Sequence, residues 1–253
     1  MQGRLHFERW PAAVYAIGDI HGCYQHLVAL EHEIVADGAT IAGEKWIVTL
    51  GDHLDRGPDS AGVIAHVTGT APQGFRRISL RGNHEQMMLD FLRDPAAHEY
   101  WLAEGGFATL ASYGIGLAEL GEAAGADVIG RILAAVPERH LAFIASLPFM
   151  LTLPGWLFVH AGIRPGVAIE QQRDADLIWI REPFLTAAPT PGWRVVHGHT
   201  PGPEPVVSAA RICVDTQCFA TGQLTAVRVT PDGDIRFLAV AGEASRTGAG
   251  SRT

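Results

Sequence analysis

The chain has 253 residues, 47% hydrophobic and 18% charged, with a formal net charge of −8. That apolar fraction fills a core and excludes a disordered chain. The acidic balance argues against a partner that is a nucleic-acid polymer, which calls for a basic face, but leaves an anionic substrate open because bound cations reverse the sign locally.

The opening "MQGRLHFERWPAA" has no apolar stretch before a cleavage site, and no run is long enough to span a bilayer, so a cytoplasmic protein without membrane attachment is expected. Short β-rich runs then recur, each breaking into a polar loop that contains glycine. "VYAI" (14–17) leads into Gly18-Asp19-Ile20-His21-Gly22, and a helix is predicted over 25–36. "WIVTL" (46–50) leads into "GDHLDRG" (51–57), followed by a helix over 60–68 behind the cap Asp59. "RRISL" (76–80) leads into Arg81-Gly82-Asn83-His84-Glu85, with a helix over 85–93 stopped near Pro95. A helix over 138–146 precedes "WLFVH" (156–160), which ends at His160-Ala161-Gly162, and "WRVVH" (193–197) runs into Gly198-His199-Thr200. Residues 211–240 read as successive strands joined by turns, with "PDGD" as a hairpin signal, and 242–253 as a small, polar, disordered tail.

Runs of about five apolar residues are buried strands, and their alternation with helices indicates a layered α/β architecture. A doubly wound sheet would not end in consecutive strands, so a pair of mixed sheets with helices outside fits better. No linker divides the chain, which gives a single domain over 1–241. Cys23, Cys213 and Cys218 are too few for a disulfide framework, lack zinc-ribbon spacing and read as small buried groups.

Five strand ends each carry a His, Asp or Asn at the loop tip, more than turns require, and strand ends are where α/β proteins collect ligands. Asp19, His21, Asp52, Asn83, His160 and His199 offer oxygen and imidazole donors without thiolate. That set suits borderline divalent metals: manganese first, iron or zinc as alternatives. One cation could take Asp19, His21 and one oxygen of Asp52. A second could take the other oxygen of Asp52 with Asn83, His160 and His199. A bridging carboxylate holds two metals about 3.5–4 Å apart, a spacing that clamps both oxygens in phosphoryl transfer.

The ordered set "GDIHG", "GDHLDRG", "RGNHE", "HAG" and "HGHT" resembles the PPP-type branch of the calcineurin-like metallophosphoesterases, over roughly residues 14–226. It looks closest to the short bacterial members, serine/threonine protein phosphatases related to the diadenosine tetraphosphatase branch. "WLAEGGFATLASYG" (101–114), "HAGIRPG" (160–166), "LIWIREPF" (177–184) and "LTA" (224–226) share that look. The resemblance implies a four-layer αββα sandwich, two mixed sheets flanked by helices, with metals at one edge. It places the six donors on the family's metal ligands. His84 falls on its general acid and Asp55 on the carboxylate that orients the acid. Arg56 and Arg181, with Asn83 beside them, fall on its phosphate-holding groups.

Several residues keep a second reading. Asp55 could be a turn with an ion pair, and Arg181 could pair with Glu182 at the surface. His199 competes with His197, which falls in the strand. Arg81 reads as structural. His53 stands where a hydrophobic or aromatic residue is expected, and reads as a core or rim histidine, with substrate contact as the other reading. Histidines 6, 26, 32, 66, 98 and 140 have no partner pattern. Gln217 and Thr221 stand where bacterial relatives carry glycines, which leaves the shape of that turn open.

The expected reaction is in-line attack of a metal-bridging hydroxide on a phosphomonoester, phosphoserine, phosphothreonine or phosphotyrosine in a protein or a small phosphate ester, with no phosphoenzyme. The alternative is hydrolysis of phosphoanhydrides such as symmetrical dinucleoside tetraphosphates or short polyphosphate, since the motifs do not separate the two. A non-catalytic metal-binding module would lack a ligand or the acid, and none is missing. Oligomeric state has no signature in the sequence.

Overall fold

The computed structural model describes residues 3–116 and 126–242. Of the tail expected over 242–253, only Gly242 falls among them.

The strands are β1 (Arg4–His6), β2 (Ala13–Ile17), β3 (Lys45–Thr49), β4 (Phe75–Ser79), β5 (Met150–Leu153), β6 (Trp156–Val159), β7 (Arg194–His197), β8 (Val206–Val207), β9 (Arg211–Cys213), β10 (Gln223–Val229) and β11 (Ile235–Ala241). One sheet has the order β11-β10-β2-β3-β4 and the other β1-β5-β6-β7-β9-β8. Both are mixed: β2, β3 and β4 run parallel with β10 antiparallel to β2, while β6, β7 and β9 run parallel with β5 antiparallel to β6.

Every position of β2 and β3 is buried, which is why they read as continuous apolar runs. Their side chains still divide by parity. Val14, Ala16, Trp46 and Val48 meet Leu151, Phe158, Val196 and Ile212 between the sheets. Ala13, Tyr15, Ile17 and Ile47 face the other way, onto Leu27, Leu30 and Ile34 of helix α1 (Tyr24–Gly38) and Val63 and Val67 of α2 (Ser60–Val67). Burying a side chain of Leu or Phe size stabilises the fold by about 1.5–3 kcal/mol each, so the inter-sheet cluster holds the two sheets in register.

Helix α3 (Asn83–Arg93), α4 (Phe107–Ser112), α5 (Ala126–Ala135) and α6 (Glu138–Ser146) gather around Met88, Phe91, Trp101, Ile132 and Ile144. The outer face of the six-stranded sheet, Met150, Leu157, Val159 and Val195, is covered by Ile163, Leu177, Ile180 and Phe184. Its helical cover is the six-residue α7 (Asp174–Trp179), so the expected fourth layer is present but thin. The last short helix is α8 (Cys218–Thr221).

The expected helices are found, α6 with its predicted bounds and the others with ends shifted by one or two residues. α1 extends past the predicted 25–36, and α3 starts at Asn83 rather than 85. Asp59 caps α2, accepting from the Gly62 N–H at 2.7 Å. β1 and β5, which pair in parallel, were not anticipated: β1 has only three residues, and neither leads into one of the polar loops that mark the other strands. No helix among the described residues is long and apolar enough to cross a membrane.

Candidate active site

The loops after β2, β3, β4, β6, β7 and β9 leave from the carboxyl ends of parallel strands and meet. The His160 Nδ1 lies 3.0 Å from the Leu50 carbonyl, and the His199 N–H donates to both oxygens of Asp19 at 3.1 Å. These contacts join the edges of the two sheets around a cavity of about 370 Å³. Asp19, His21, Asp52, Arg56, Asn83, His84, Arg181 and His199 line it. Asp55 and His160 are fully buried behind it. All ten residues singled out in the sequence therefore come together.

Asp52 stands at the centre. Its Oδ2 is 3.5 Å from His21 Nε2 and its Oδ1 is 3.4 Å from His160 Nε2, so each oxygen faces a different imidazole. Asn83 Oδ1 lies 2.8 Å from His160 Nε2 and 3.0 Å from His199 Nδ1. Donor atoms of His21, Asp52 and His84, and of Asp52, His160 and His199, form two groups each within 4.8 Å.

The electrostatics of this cluster call for cations. Burial, with Asp215 and Asp52 nearby, pushes the Asp19 carboxyl well above the usual range. Burial and the Glu85 charge push Asp52 up likewise. Burial lowers His160 to about 3 and His199 to about 2, leaving neutral imidazoles able to ligate. His199 Nε2 is buried without a hydrogen-bond partner among the described residues. Crowded carboxylates, neutral imidazoles and an orphaned ring nitrogen fit divalent cations.

His84 Nδ1 lies 2.7 Å from Asp55 Oδ2, and its Nε2 is 3.9 Å from Asp52 Oδ2. Asp55 is itself held by Trp101 Nε1–H at 2.9 Å and by the Thr109 hydroxyl at 2.6 Å. Burial raises Asp55 to about 8 against the pull of those two donors, and burial with the Arg56 charge lowers His84 to about 3. The Arg56 guanidinium lies 5.0 Å over the Phe219 ring, and Arg181 Nη2 donates to the His199 carbonyl at 3.3 Å.

The backbone bends sharply to aim these groups. Among the described residues, the non-glycine positions at positive φ are His21, Asp52, Asp55, Arg56, His199 and Gln217. All six line or back the cavity, where such strain, of order 1 kcal/mol or more each, concentrates in functional sites. Gly51 supports the same loop, since a Cβ there would come within 2.5 Å of the Gly82 nitrogen.

Glu85 ties the loops together: it accepts from the N–H groups of Asp52 (2.9 Å), His53 (2.7 Å) and Gly82 (2.8 Å). His53 is fully buried, with Nε2 2.7 Å from the Thr49 hydroxyl and Nδ1 3.2 Å from Glu85. It braces the loop from the core side and does not line the cavity. His197 ends β7 and bonds to the Gly198 carbonyl and Arg211, away from the cavity. Arg81 donates to the Ala145 carbonyl at 2.7 Å, a structural contact. Gln217 takes the left-handed conformation (φ +57°) a glycine would supply there, so the turn forms without one. Asp215, Trp101, Thr109 and Phe219 were not singled out as site residues from the sequence, and only their folded positions reveal them.

A buried cluster of carboxylates and imidazoles with two arginines at its rim, at the shared edge of a two-sheet sandwich, defines a metallophosphoesterase, a hydrolase of phosphate esters. The calcineurin-like phosphoesterase profile matches residues 12–227, and the chain belongs to that family. Serine/threonine-protein phosphatase 1 of Salmonella typhimurium is 28% identical over 241 residues, covering 89% of this chain and 95% of its own. The asymmetrical bis(5'-nucleosyl)-tetraphosphatase PrpE of Bacillus subtilis is 30% identical over 234 residues, covering 84% and 88%. A solved structure described provisionally as a diadenosine tetraphosphatase matches with a TM-score of 0.66 at 18% identity, over 94% of this chain and 98% of that chain, a likeness of fold.

Proposed function

We propose that residues 1–241 form one catalytic domain, a phosphomonoesterase using two divalent cations, manganese first with iron or zinc as alternatives. Its substrates are phosphoserine and phosphothreonine in proteins, with phosphotyrosine and small aryl phosphates as further substrates. Asp19, His21 and one oxygen of Asp52 would hold one cation, and the other oxygen of Asp52 with Asn83, His160 and His199 the second. When bound, the cations supply Lewis acidity and an acidified water, so no phosphoenzyme is needed. Arg56 and Arg181, with the Asn83 amide, grip the phosphate oxygens, and guanidinium forks match that geometry. His84 gives the proton on Nε2 to the leaving oxygen while Asp55 fixes Nδ1.

The observation that carries this reading is the 2.7 Å contact between Asp55 and His84, braced by Trp101 and Thr109. A serine or threonine alkoxide is a poor leaving group and needs a proton, whereas the phosphate expelled from an anhydride leaves without one. The second reading, hydrolysis of dinucleoside tetraphosphates or short polyphosphate, draws on Tyr100 and Trp179. Both line the cavity and are 47% and 44% exposed, where they could stack a base. The 30% identity to the Bacillus subtilis tetraphosphatase supports it as well.

The test compares kcat/KM with manganese for a phosphoserine peptide, a dinucleoside tetraphosphate and tripolyphosphate. The peptide is expected to be fastest, with His84→Gln lowering its rate by about 10²–10⁴ and affecting an anhydride far less. An anhydride preferred over the peptide, or an equal loss on both, overturns the assignment.

A further inference from the structure

Beyond the phosphate pocket, three soft donors converge on the other side of the loop after β2. Cys23 is the N-cap residue of α1, and His26 lies three positions on, within the first turn. Residues three apart on a helix share a face. Cys218, the first residue of α8, comes from the far end of the chain, and its side chain is in hydrogen-bond contact with Cys23. Donor atoms of all three lie within 4.8 Å of one another. Cys23 and Cys218 are 2% and 1% exposed. His26 Nε2 is buried with no hydrogen-bond partner among the described residues, so the ring has a nitrogen with no hydrogen-bonding role to give up.

We propose that Cys23, His26 and Cys218 form a separate cation site for a thiophilic divalent ion of the zinc class. Two thiolates and an imidazole leave a fourth tetrahedral position for water. Zinc bonds of about 2.3 Å to sulfur and 2.0 Å to nitrogen place neighbouring donors roughly 3.5–3.8 Å apart. Donors already within 4.8 Å of one another need to close by no more than about 1 Å to reach that spacing. Cys23 and His26 also line a surface cavity beside Asp59 and Gly242, which gives the ion an entry path and each thiol proton a way out to solvent. Soft sulfur donors select zinc-class ions, while the oxygen and imidazole donors of the phosphate pocket suit manganese. One chain thus sorts two kinds of cation.

The site has a mechanical consequence. The Cys23 thiol donates to the His21 carbonyl at 3.5 Å. Cys218 sits between Gln217, which lines the phosphate pocket, and Phe219, whose ring lies 5.4 Å from that of His21 and 5.0 Å from the Arg56 guanidinium. An ion held here clips the loop after β2 to the turn after β9, and so fixes the aromatic platform under Arg56.

The test uses the full chain, reduced and stripped of metal, titrated with cobalt(II). Thiolate-to-cobalt charge transfer gives a near-ultraviolet band that oxygen and imidazole donors cannot produce, so the readout is independent of the phosphatase reading. Wild type is expected to develop the band and lose it on adding zinc. Cys218→Ser should abolish it and bind one fewer zinc by native mass spectrometry, while Cys213→Ser keeps it. His26→Gln, at a half-buried helix position that tolerates polar residues, should weaken cobalt binding about tenfold or more. Absence of the band in reduced wild type, or its survival in Cys218→Ser, overturns the proposal.

Discussion

Asp55 shows how a single buried carboxylate is held by its neighbours on both oxygens. Oδ2 faces His84 Nδ1 and accepts from Trp101, while Oδ1 accepts from Thr109. Its own N–H donates to the hydroxyls of Ser60 and Thr109 at 3.0 and 2.9 Å. The φ of +73° at Asp55 is held by these bonds, since a left-handed aspartate persists only where its surroundings over-determine it. Thr109→Val keeps shape and removes the hydroxyl, stripping one donor from a buried carboxylate. We expect a stability loss of about 1–3 kcal/mol from the unsatisfied oxygen. For an ester with a poor leaving group, kcat should fall while KM holds, because His84 loses its fixed aim rather than the substrate its grip. Urea unfolding and steady-state kinetics on the same preparation check both. A KM change with kcat intact would move Thr109 from proton delivery to substrate binding.

At the scale of elements, the pocket is built where the loop after β3 meets the first turn of α3, and Glu85 is the joint. Its Oε2 accepts from the Asp52 and Gly82 N–H groups and its Oε1 from that of His53. Burial raises its pKa, but the His53 imidazole and these N–H donors outweigh burial and hold the carboxylate well below the usual range. Glu85→Gln turns one oxygen into an NH₂ that confronts backbone donors. A loss of about 1.5–3 kcal/mol is expected, the scale of a charge-assisted hydrogen bond, read as a lower urea midpoint at unchanged m-value. An unchanged midpoint would mean the loop holds itself. The glutamate was legible in "RGNHE" only as a helix residue, and its hold on the β3 loop was not, because the pairing spans more than thirty positions. The same distinction runs through the site. Asp19, His21, Asp52, Asn83, His160 and His199 stand out because each punctuates a strand end with a polar tip. Trp101 and Asp215 carry no local mark: one reads as a core aromatic and the other as a turn aspartate until folding sets them beside Asp55 and Asp19. His53 was ambiguous for the same reason, and its partner Thr49 settles it in the core.

Across the whole molecule, the paired sheets were readable because both-face burial writes continuous apolar runs, whereas β1 is too short to show a period and β5 ends in no polar loop that would mark it. Beside the apolar packing of α1 and α2 on the five-stranded sheet, a polar link fastens the same helices, and it makes stability depend on pH. Glu31 on α1 takes a forked contact from Arg77 on β4, Nη2 to Oε2 at 2.8 Å and Nε to Oε2 at 3.2 Å, and its Oε1 lies 3.0 Å from His66 Nε2 on α2. Burial, the largest single influence, pushes the Glu31 carboxyl up, but the hydrogen bonds from His66 and Arg77 together with their charges pull it below its ordinary 4.5. A carboxyl whose folded value is depressed binds protons more readily in the unfolded chain. Its stabilising contribution is therefore complete above the unfolded value and is lost as pH falls through the folded one. The carboxylate's own part of the difference in unfolding free energy between wild type and Glu31→Gln should be complete above about pH 5.5 and should narrow steadily below about pH 4.5. Urea unfolding of both proteins from pH 7 down to the acid limit of folding measures it. A gap that stays flat through that window would show that Glu31 contributes by packing α1 onto the sheet and not by its charge.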